Sequence, residues 1–487
     1  MLLTLVQKEI SETVLDLRFT VTTLLFVVFI PLGMYVSCKD YERRLENYQW
    51  EHQTYRDQYA HKVDHAIEAQ GFRPPSVLSV LAMGLDPFVP SKVITSRLRR
   101  FTVRCNTLTS NPMSLILGKA DFLFNMTFVV SLAALILSFN AVSGERETGT
   151  LRLLIAGSVP RGQILLAKIL GRTLALVIPW LLSVLLAMIV LEASPVVSLR
   201  SSEIWPALWV VLGGSLSFIL GMVCLGVCIS TFSQKSMVSM VLAFFAWMLF
   251  VVAIPRVSPL IAGILYPIEG QAVVDLTMRI TEDDIDREFE REASQAYHQC
   301  IAEFEVSTEG SEPSLKQRYE SRAKAKAKYA EEICPPLEKK YRLRTAESLH
   351  RIEQDYRNRQ GIQTFIAKTL SRFSPVSCYT YVVTEIAGTG LTELRDFLAH
   401  AQRYQDEIKE TIYDKAVVTR TGGGYYMQDI EGVDFAWSKA VLPDMVYHYP
   451  TLAEALHTVW PDILLLGLFN VLFFVLAFVG FNRYDVR

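Results

Sequence analysis

The chain has 487 residues, 51% of them hydrophobic and 20% charged, with a formal net charge of -2 at pH 7. So even a balance gives no electrostatic reason to expect nucleic acid as a partner. The apolar residues are gathered into runs of membrane length, which argues against a soluble domain: buried as core, they would need helices of about twenty residues placed almost back to back.

Within residues 1–18, Leu2, Leu5, Val6, Ile10, Val14 and Leu17 share a helical face opposite Lys8, Glu9, Glu12 and Asp16. This predicts an amphipathic interfacial helix, too charged to span and without the short apolar region and small-residue cleavage site of a signal peptide. A first span follows at 19–37, with Pro31 inside it as a kink that neighbouring groups can accommodate. Residues 38–115 are a polar excursion: Cys38 to Gln70 suits a helix, whereas GFRPPSVLSV and LDPFVPSK are broken by proline and read as loops. His61 and His65 stand one turn apart with His52 nearby, but no third ligand converges, and a surface helix is the simpler reading.

The second to sixth spans are expected at 121–141, 164–191, 207–230, 237–255 and 460–481. The 142–163 loop after the second span is charged and broken by Gly149, Gly157, Pro160 and Gly162, which makes it the segment best suited to touch another protein. GGSLSFILGMVCLG, at 213–226, is dense in small residues and permits close helix contact; Cys224 and Cys228, one turn apart on that helix, allow a metal or thiol-redox role but fit small-residue packing better. Asp121, Lys168, Arg172 and Glu192 lie near span ends, where snorkelling to the interface is cheap, and form no proton relay. Trp205, Trp247, Tyr266 and Trp460 sit near run ends, as interfacial rings do.

Lys8, Arg18, Arg146, Arg152, Arg161, Lys235, Arg483 and Arg487 collect on one side of these spans, which the positive-inside rule makes cytoplasmic. Lys39, Arg43 and Arg44 oppose this assignment, but they border a long loop, where the rule weakens. Both termini, with the 482–487 tail, are then cytoplasmic, and 38–115 and 257–458 are extracytoplasmic.

The 257–458 region is long enough to bury a core of its own. Leu337, Tyr341, Ala346, Leu349, Ile352 and Tyr356 keep a helical period, as do Leu391, Leu394, Leu398, Ala401, Tyr404, Ile408 and Ile412. Antiparallel helices are expected, reversing at Cys334-Pro335-Pro336, where two prolines should end a helix. From Val417 to Trp437 a glycine triplet and short alternation predict a small sheet or ordered loop. Cys38, Cys105, Cys300, Cys334 and Cys378 fall outside the membrane on this topology, where disulfides are permitted; a 300–334 pair would staple the two helices.

The chain lacks G-x-x-x-x-G-K-[ST], H-E-x-x-H, G-x-S-x-G and C-x-x-C, so no catalytic, cofactor-binding or metal-ligating set is identified. Energy for any movement has to arrive from a partner.

The run NPMSLILGKADFLFNMTFVVSLAALILSFNAVSGERETGTLRLLIAGSVPRGQILLAKILGRTLALVIPWLL resembles the permease subunits of ABC-2 type transporters, in the branch that includes the permease associated with copper-enzyme maturation. That family carries a Glu-Arg-(Glu/Asp)-x-Gly-Thr motif just after its second span, in the intracellular region that docks on the ATPase. Here the matching residues are Glu145, Arg146, Glu147, Gly149 and Thr150, followed by Pro160 and Arg161. RFSPVSCYTYVVTEIAGTG, with Ser374, Pro375, Ala387, Gly388 and Thr389, and LPDMVYHYP before the last span look like the DUF3526-containing branch. The resemblance covers 110–260 and 365–487.

It implies an all-α polytopic membrane protein with six spans, placed in the bacterial cytoplasmic (inner) membrane. Its implied partners are a cytoplasmic ABC ATPase dimer, which would hold ATP and Mg, and a second copy or sister permease. The amphipathic start is similar to the family's connector helix. One departure is plain: the family's outer loop between the fifth and sixth spans is small and often re-entrant, whereas here it is a large, mainly helical domain. SPLIAGILYPIEG, at 258–270, is the expected start of a re-entrant or interfacial segment. Three functions follow as expectations: export of a lipidic or peptide-like substrate; mechanotransmission to an envelope partner without transport through the spans; and, least supported, an enzyme in the outer domain.

Overall fold

The computed structural model describes residues 2–61, 69–95, 101–104, 120–156, 159–195, 204–306, 315–408, 416–421, 424–429, 445 and 447–483. They fall into two compact units, Met1–Ser258 with Thr369–Gln405 and Pro443–Arg487, and Pro259–Lys368 with Asp406–Leu442.

Among the described residues six helices are long and apolar enough to cross a membrane: Leu17–Asp57, Phe122–Thr148, Arg161–Glu192, Ile204–Phe232, Ser236–Leu265 and Leu452–Asn482, hereafter spans 1 to 6. Most run past the apolar windows read from the sequence. The first belongs to a helix of 45 residues that passes Pro31 unbroken to His61. At a rise of about 1.5 Å per residue it is roughly twice as long as a bilayer core is thick, so its polar half lies beyond the apolar layer. Spans 2 and 4 are largely buried, whereas spans 1, 5 and 6 turn large apolar side chains such as Val28, Phe245 and Leu468 outward, as helices facing lipid do. Gly226 of span 4 is where the two buried spans come closest: a Cβ there would lie 1.9 Å from the Ser138 hydroxyl. Cys224 and Cys228 are buried in the same helix with free thiols.

The first unit also contains a helix the span count omits, Pro375–Ile386, with ten of its twelve residues buried. At roughly 18 Å it is too short to cross a bilayer. Tyr379 stacks on Phe218 at 4.6 Å and shares a 2.8 Å hydroxyl hydrogen bond with Ser215, fixing the helix to span 4. Arg372, just before it, makes a 2.6 Å ion pair with the buried Asp462 of span 6. Ser374 caps its N-terminus and donates to the Phe250 carbonyl at 2.5 Å, within the π-helical turn Met248–Ala253 of span 5. A π turn breaks the ordinary carbonyl pairing, and a hydroxyl supplies the partner. At 258–270, read as the start of a re-entrant or interfacial segment, Ile254–Leu265 continues span 5 as helix, and the short buried helix comes more than a hundred residues later.

After it the chain turns through Gly388, whose φ of +66° suits glycine. Ser76 donates to the Ala387 carbonyl, Leu85 N–H to the Thr389 carbonyl, and the Thr389 hydroxyl to the Ala82 carbonyl. The 374–389 motif is thus a structural clasp.

The proline-broken stretches are loops, turns and one short 3-10 helix over most of their length, as read, but Gly71, Phe72 and Lys92 at their edges belong to a three-stranded antiparallel sheet, Ala69–Phe72, Lys92–Thr95 and Phe101–Arg104, in that order, with Gly71 opposite Val93 and Val93 opposite Val103. Pro74, Pro75 and Pro90 lie outside the strands, so no ladder hydrogen bond is lost. Val89 and Val93 pack with Phe397 and Ala401 of the amphipathic helix Leu391–Ile408 and with Tyr447, over a buried pair of ion bridges from Arg73 to Asp86 (2.7 Å) and to Glu393 (3.2 Å). Burial pushes the Glu393 carboxyl up to about 7 despite the attraction of Arg73. His52 stacks on Tyr48 and meets Phe72 edge-on, in keeping with a surface-helix role; His65 and Cys105 lie outside the described residues.

In the second unit, Gln271–Val306 runs antiparallel to the helix that starts at Leu315 and continues to Ser371. The register is set by Lys328–Glu303 (2.9 Å), Lys340–Glu292 (3.1 Å) and Arg344–Glu288 (2.5 Å), and by rings of Tyr329 on Tyr297 and Tyr341 on Phe289. The expected reversal at Cys334-Pro335-Pro336 does not occur there, because those residues lie inside the second helix. A π turn over Tyr329–Ile333 immediately precedes the prolines and widens the ladder where their missing N–H groups and rings would clash. Cys300 and Cys334 are both free thiols, so the 300–334 staple is absent; Cys38 and Cys378 are free as well. Strands Ala416–Thr421 and Gly424–Asp429 pair antiparallel, while Gly422 and Gly423 lie outside the described residues.

Close packing of spans 2 and 4 predicts that Gly226→Val costs about 1–3 kcal/mol by overpacking, read as a lowered Tm in detergent. Gly213→Ala, on the same helix with nothing within 4 Å of the added methyl, should leave Tm unchanged or slightly higher; equal losses in both would contradict the contact.

Candidate functional site

Span 2 ends in the Ser143–Thr148 turn of helix, which is closed by Gly149 at a φ of +79° and followed by a second short helix, Thr150–Ala156. A Cβ at Gly149 would meet nothing, so the requirement is the left-handed backbone rather than space. The N–H groups of Val142 and Ser143 both donate to the Ser230 hydroxyl at 3.0 Å, tying this corner to span 4.

The side chains read as a docking motif turn in different directions. Arg146 donates to the Ser233 carbonyl (2.9 Å) and the Thr231 carbonyl (3.2 Å), capping the C-terminal end of span 4 with a cation. Glu147 accepts from the Ser236 N–H at 3.1 Å, where a carboxylate suits the start of span 5. Together they clamp the connection between spans 4 and 5. Arg161 donates to the Asn482 carbonyl at 2.9 Å and caps span 6, with Pro160 as its exposed N-cap neighbour. Glu147, Thr148, Gly149 and Thr150 are exposed, and so are Arg152 and Leu153 on the next turn, Leu153 to 78%.

Glu145 points inward. Its carboxylate lies 2.6 Å from the ammonium of Lys168, a span 3 residue only 1% exposed, and Lys168 also reaches Glu9 of the N-terminal helix at 2.7 Å. Arg172, one turn further along span 3, lies 3.7 Å from Glu9 and donates to Asn140 (3.1 Å) and to the Leu137 carbonyl. Gly171 lies between the two cations; a Cβ there would come 2.6 Å from the Cβ of Glu9, so glycine lets the helices approach. Two carboxylates and two cations from three elements therefore neutralise one another in a buried site, the condition under which burying charge is tolerable. Carboxylate atoms of Glu9, Glu12 and Glu145 come within 4.8 Å of one another, a spacing that a metal ion could use. The ammonium of Lys168 already supplies the positive charge there. At the rim, burial pulls Lys8 down, but Glu12 and Glu145 outweigh it and leave Lys8 above the ordinary lysine value.

Two expectations from the sequence change. The N-terminal helix, Leu2–Val14, buries Val6, Glu9 and Thr13, so Glu9 belongs to its packed face. Lys168 and Arg172 do not snorkel; they are buried and paired. A signal was present in each case: residues 6, 9 and 13 share a helical face, and two cations one turn apart in an apolar run need counter-charges.

A family model described as ABC-2 family transporter protein matches residues 3–486. The chain belongs to that family, as a multi-pass membrane protein of the permease-subunit class. The probable ABC transporter permease protein NosY of Pseudomonas aeruginosa is 46% identical over 56 residues, which is 12% of this chain and 20% of that protein. Its namesake in Stutzerimonas stutzeri is 50% identical over 50 residues, 10% of this chain and 18% of that one. The chain thus matches about a fifth of the length of these relatives.

If Gly171 is what admits the N-terminal helix, Gly171→Leu should displace it at a cost of about 1–3 kcal/mol. Limited proteolysis of the full chain in detergent should then cleave within the first 16 residues much faster than in the parent, with the spans intact; unchanged protection would contradict the packing.

Proposed function

We propose that this permease subunit takes its energy from a separate cytoplasmic ABC ATPase dimer, which holds ATP and Mg, and that the dimer docks on the exposed edge from Glu147 to Leu153. The observation that carries this reading is the edge itself. It joins charged and hydroxyl groups to a leucine 78% exposed, and Arg146, Glu147, Ser230 and Lys168 fix it to spans 2 to 5. A projecting apolar side chain on a rigid, polar-rimmed base suits a protein contact. Glu145 and Arg146 then serve as its foundation rather than its outer face.

The remaining assignments rest on charge and family resemblance. The motif and both termini lie on the cytoplasmic side of a bacterial inner membrane; the second unit is extracytoplasmic; a second copy or a sister permease completes the membrane part. The 374–389 clasp supports membership of the DUF3526-containing branch. The activity is export of a lipidic or peptide-like substrate. A second reading is mechanotransmission, in which hydrolysis drives the outer hairpin against an envelope partner. The close contact of Gly226 with Ser138 between spans 2 and 4 supports it, since mechanotransmission tolerates tightly packed spans.

Docking is tested with Leu153→Asp, which alters an exposed side chain and leaves the interior pairs alone. Copurification of the ATPase from native membranes should fall about tenfold, as loss of an apolar anchor at an interface does, with Tm unchanged. Full copurification would remove the assignment.

A further inference from the structure

Lys168 invites a role beyond stability. It is among the largest fully buried side chains, and it contacts the docking motif through Glu145 and the N-terminal helix through Glu9 at nearly equal distances. A three-element ion cluster in an apolar bundle is a demanding arrangement: replacing it with apolar side chains would satisfy packing, whereas breaking it strands a charge. The consequence is mechanical. Were Glu145 to move away alone, Lys168 would keep only Glu9, which it shares with Arg172, and would lose half its counter-charge, and Glu145 would leave with no buried cation. The low-energy displacement keeps all three elements together.

We propose that Lys168 is a positioning residue that joins the N-terminal helix, span 3 and the 145–150 motif into one rigid lever, so that motion imposed at the ATPase-facing edge is delivered to the N-terminal helix and span 3 as a unit. The groups that face this ammonium are Glu9 from the N-terminal helix and Glu145 from the motif. Arg172 backs Glu9 from span 3, and Lys8 approaches Glu145 to 3.9 Å from outside. Gly171 supplies the close approach that lets Glu9 reach both cations. Lys168 touches neither nucleotide nor substrate in this scheme; it acts through Glu145 and Glu9.

The proposal rests on the docking reading above, and the experiment separates the two. The full chain is purified with its ATPase, reconstituted in phosphatidylethanolamine–phosphatidylglycerol vesicles, and measured for ATPase copurification and for permease-dependent ATP hydrolysis. Lys168→Met should leave copurification at the parental level and lower permease-dependent hydrolysis about tenfold, the scale of coupling changes; Lys168→Arg, which retains the charge, should recover most of it. Should Lys168→Met fail to assemble, Lys168→Met combined with Glu145→Gln decides: it leaves Glu9 on Arg172 and strands no carboxylate at the motif, so it should copurify and still hydrolyse about tenfold below the parent. Parental hydrolysis in Lys168→Met, or in that double variant, overturns the lever. Loss of copurification in the parent chain instead overturns the docking reading.

Discussion

A charge can be buried in this molecule only where its counter-charges are brought to it, and the architecture around the motif follows from that constraint at Lys168. Span 3 carries a lysine and an arginine one turn apart inside an apolar run, the lysine buried and the arginine largely withdrawn from water. Their carboxylates come from opposite directions in the chain, Glu9 from before span 1 and Glu145 from the end of span 2. Satisfying the pair fixes the N-terminal helix against span 3, and Gly171 is the residue that makes the approach short enough. It also fixes the inner end of the motif, leaving Arg146 and Glu147 to hold the span 4–5 connection and the next turn to project.

The other half of the bundle obeys the same rule with backbone groups. Span 5 has a π turn, and the hydroxyl of Ser374 takes up the Phe250 carbonyl there. The same hydroxyl accepts from the first N–H groups of the Pro375–Ile386 helix, so one side chain serves two helices. Arg372 with Asp462 and Tyr379 with Ser215 then hold that short helix among the spans by polar contacts in otherwise apolar surroundings.

The spans are legible in the sequence because a membrane helix needs only a long apolar run, a local property. The proposed docking edge is legible as a segment, since glycine and proline punctuation and the family motif both lie in 142–163, but the directions of its side chains are not. Glu9 resembles part of a wetted face when amphipathicity is read from hydrophobicity alone, although its spacing from Val6 and Thr13 puts it on the side that meets the buried lysine. The strands at Ala69–Phe72 and Lys92–Thr95 leave little trace because each is four residues long and depends on pairing. Pro335 and Pro336 point to a helix end only if the α ladder before them is unbroken, and the π turn over Tyr329–Ile333 removes that condition. The Pro375–Ile386 helix is legible as a motif, but only the assembled bundle gives Ser374 its carbonyl.

On the proposed docking, the partner ATPase meets this chain at the 147–153 edge and on no part of the hairpin formed by Gln271–Val306 and the helix that follows it. Lys8 and Lys235 stand beside that edge with exposed side chains, while Lys324, Lys326 and Lys328 lie on the helix Leu315–Lys328 of the hairpin. Amine-reactive cross-linking of the native complex, followed by peptide mass spectrometry, reads both places at once. ATPase peptides should be joined to Lys8 or Lys235, and none to Lys324, Lys326 or Lys328; ATPase cross-links confined to the hairpin lysines would contradict the proposed docking.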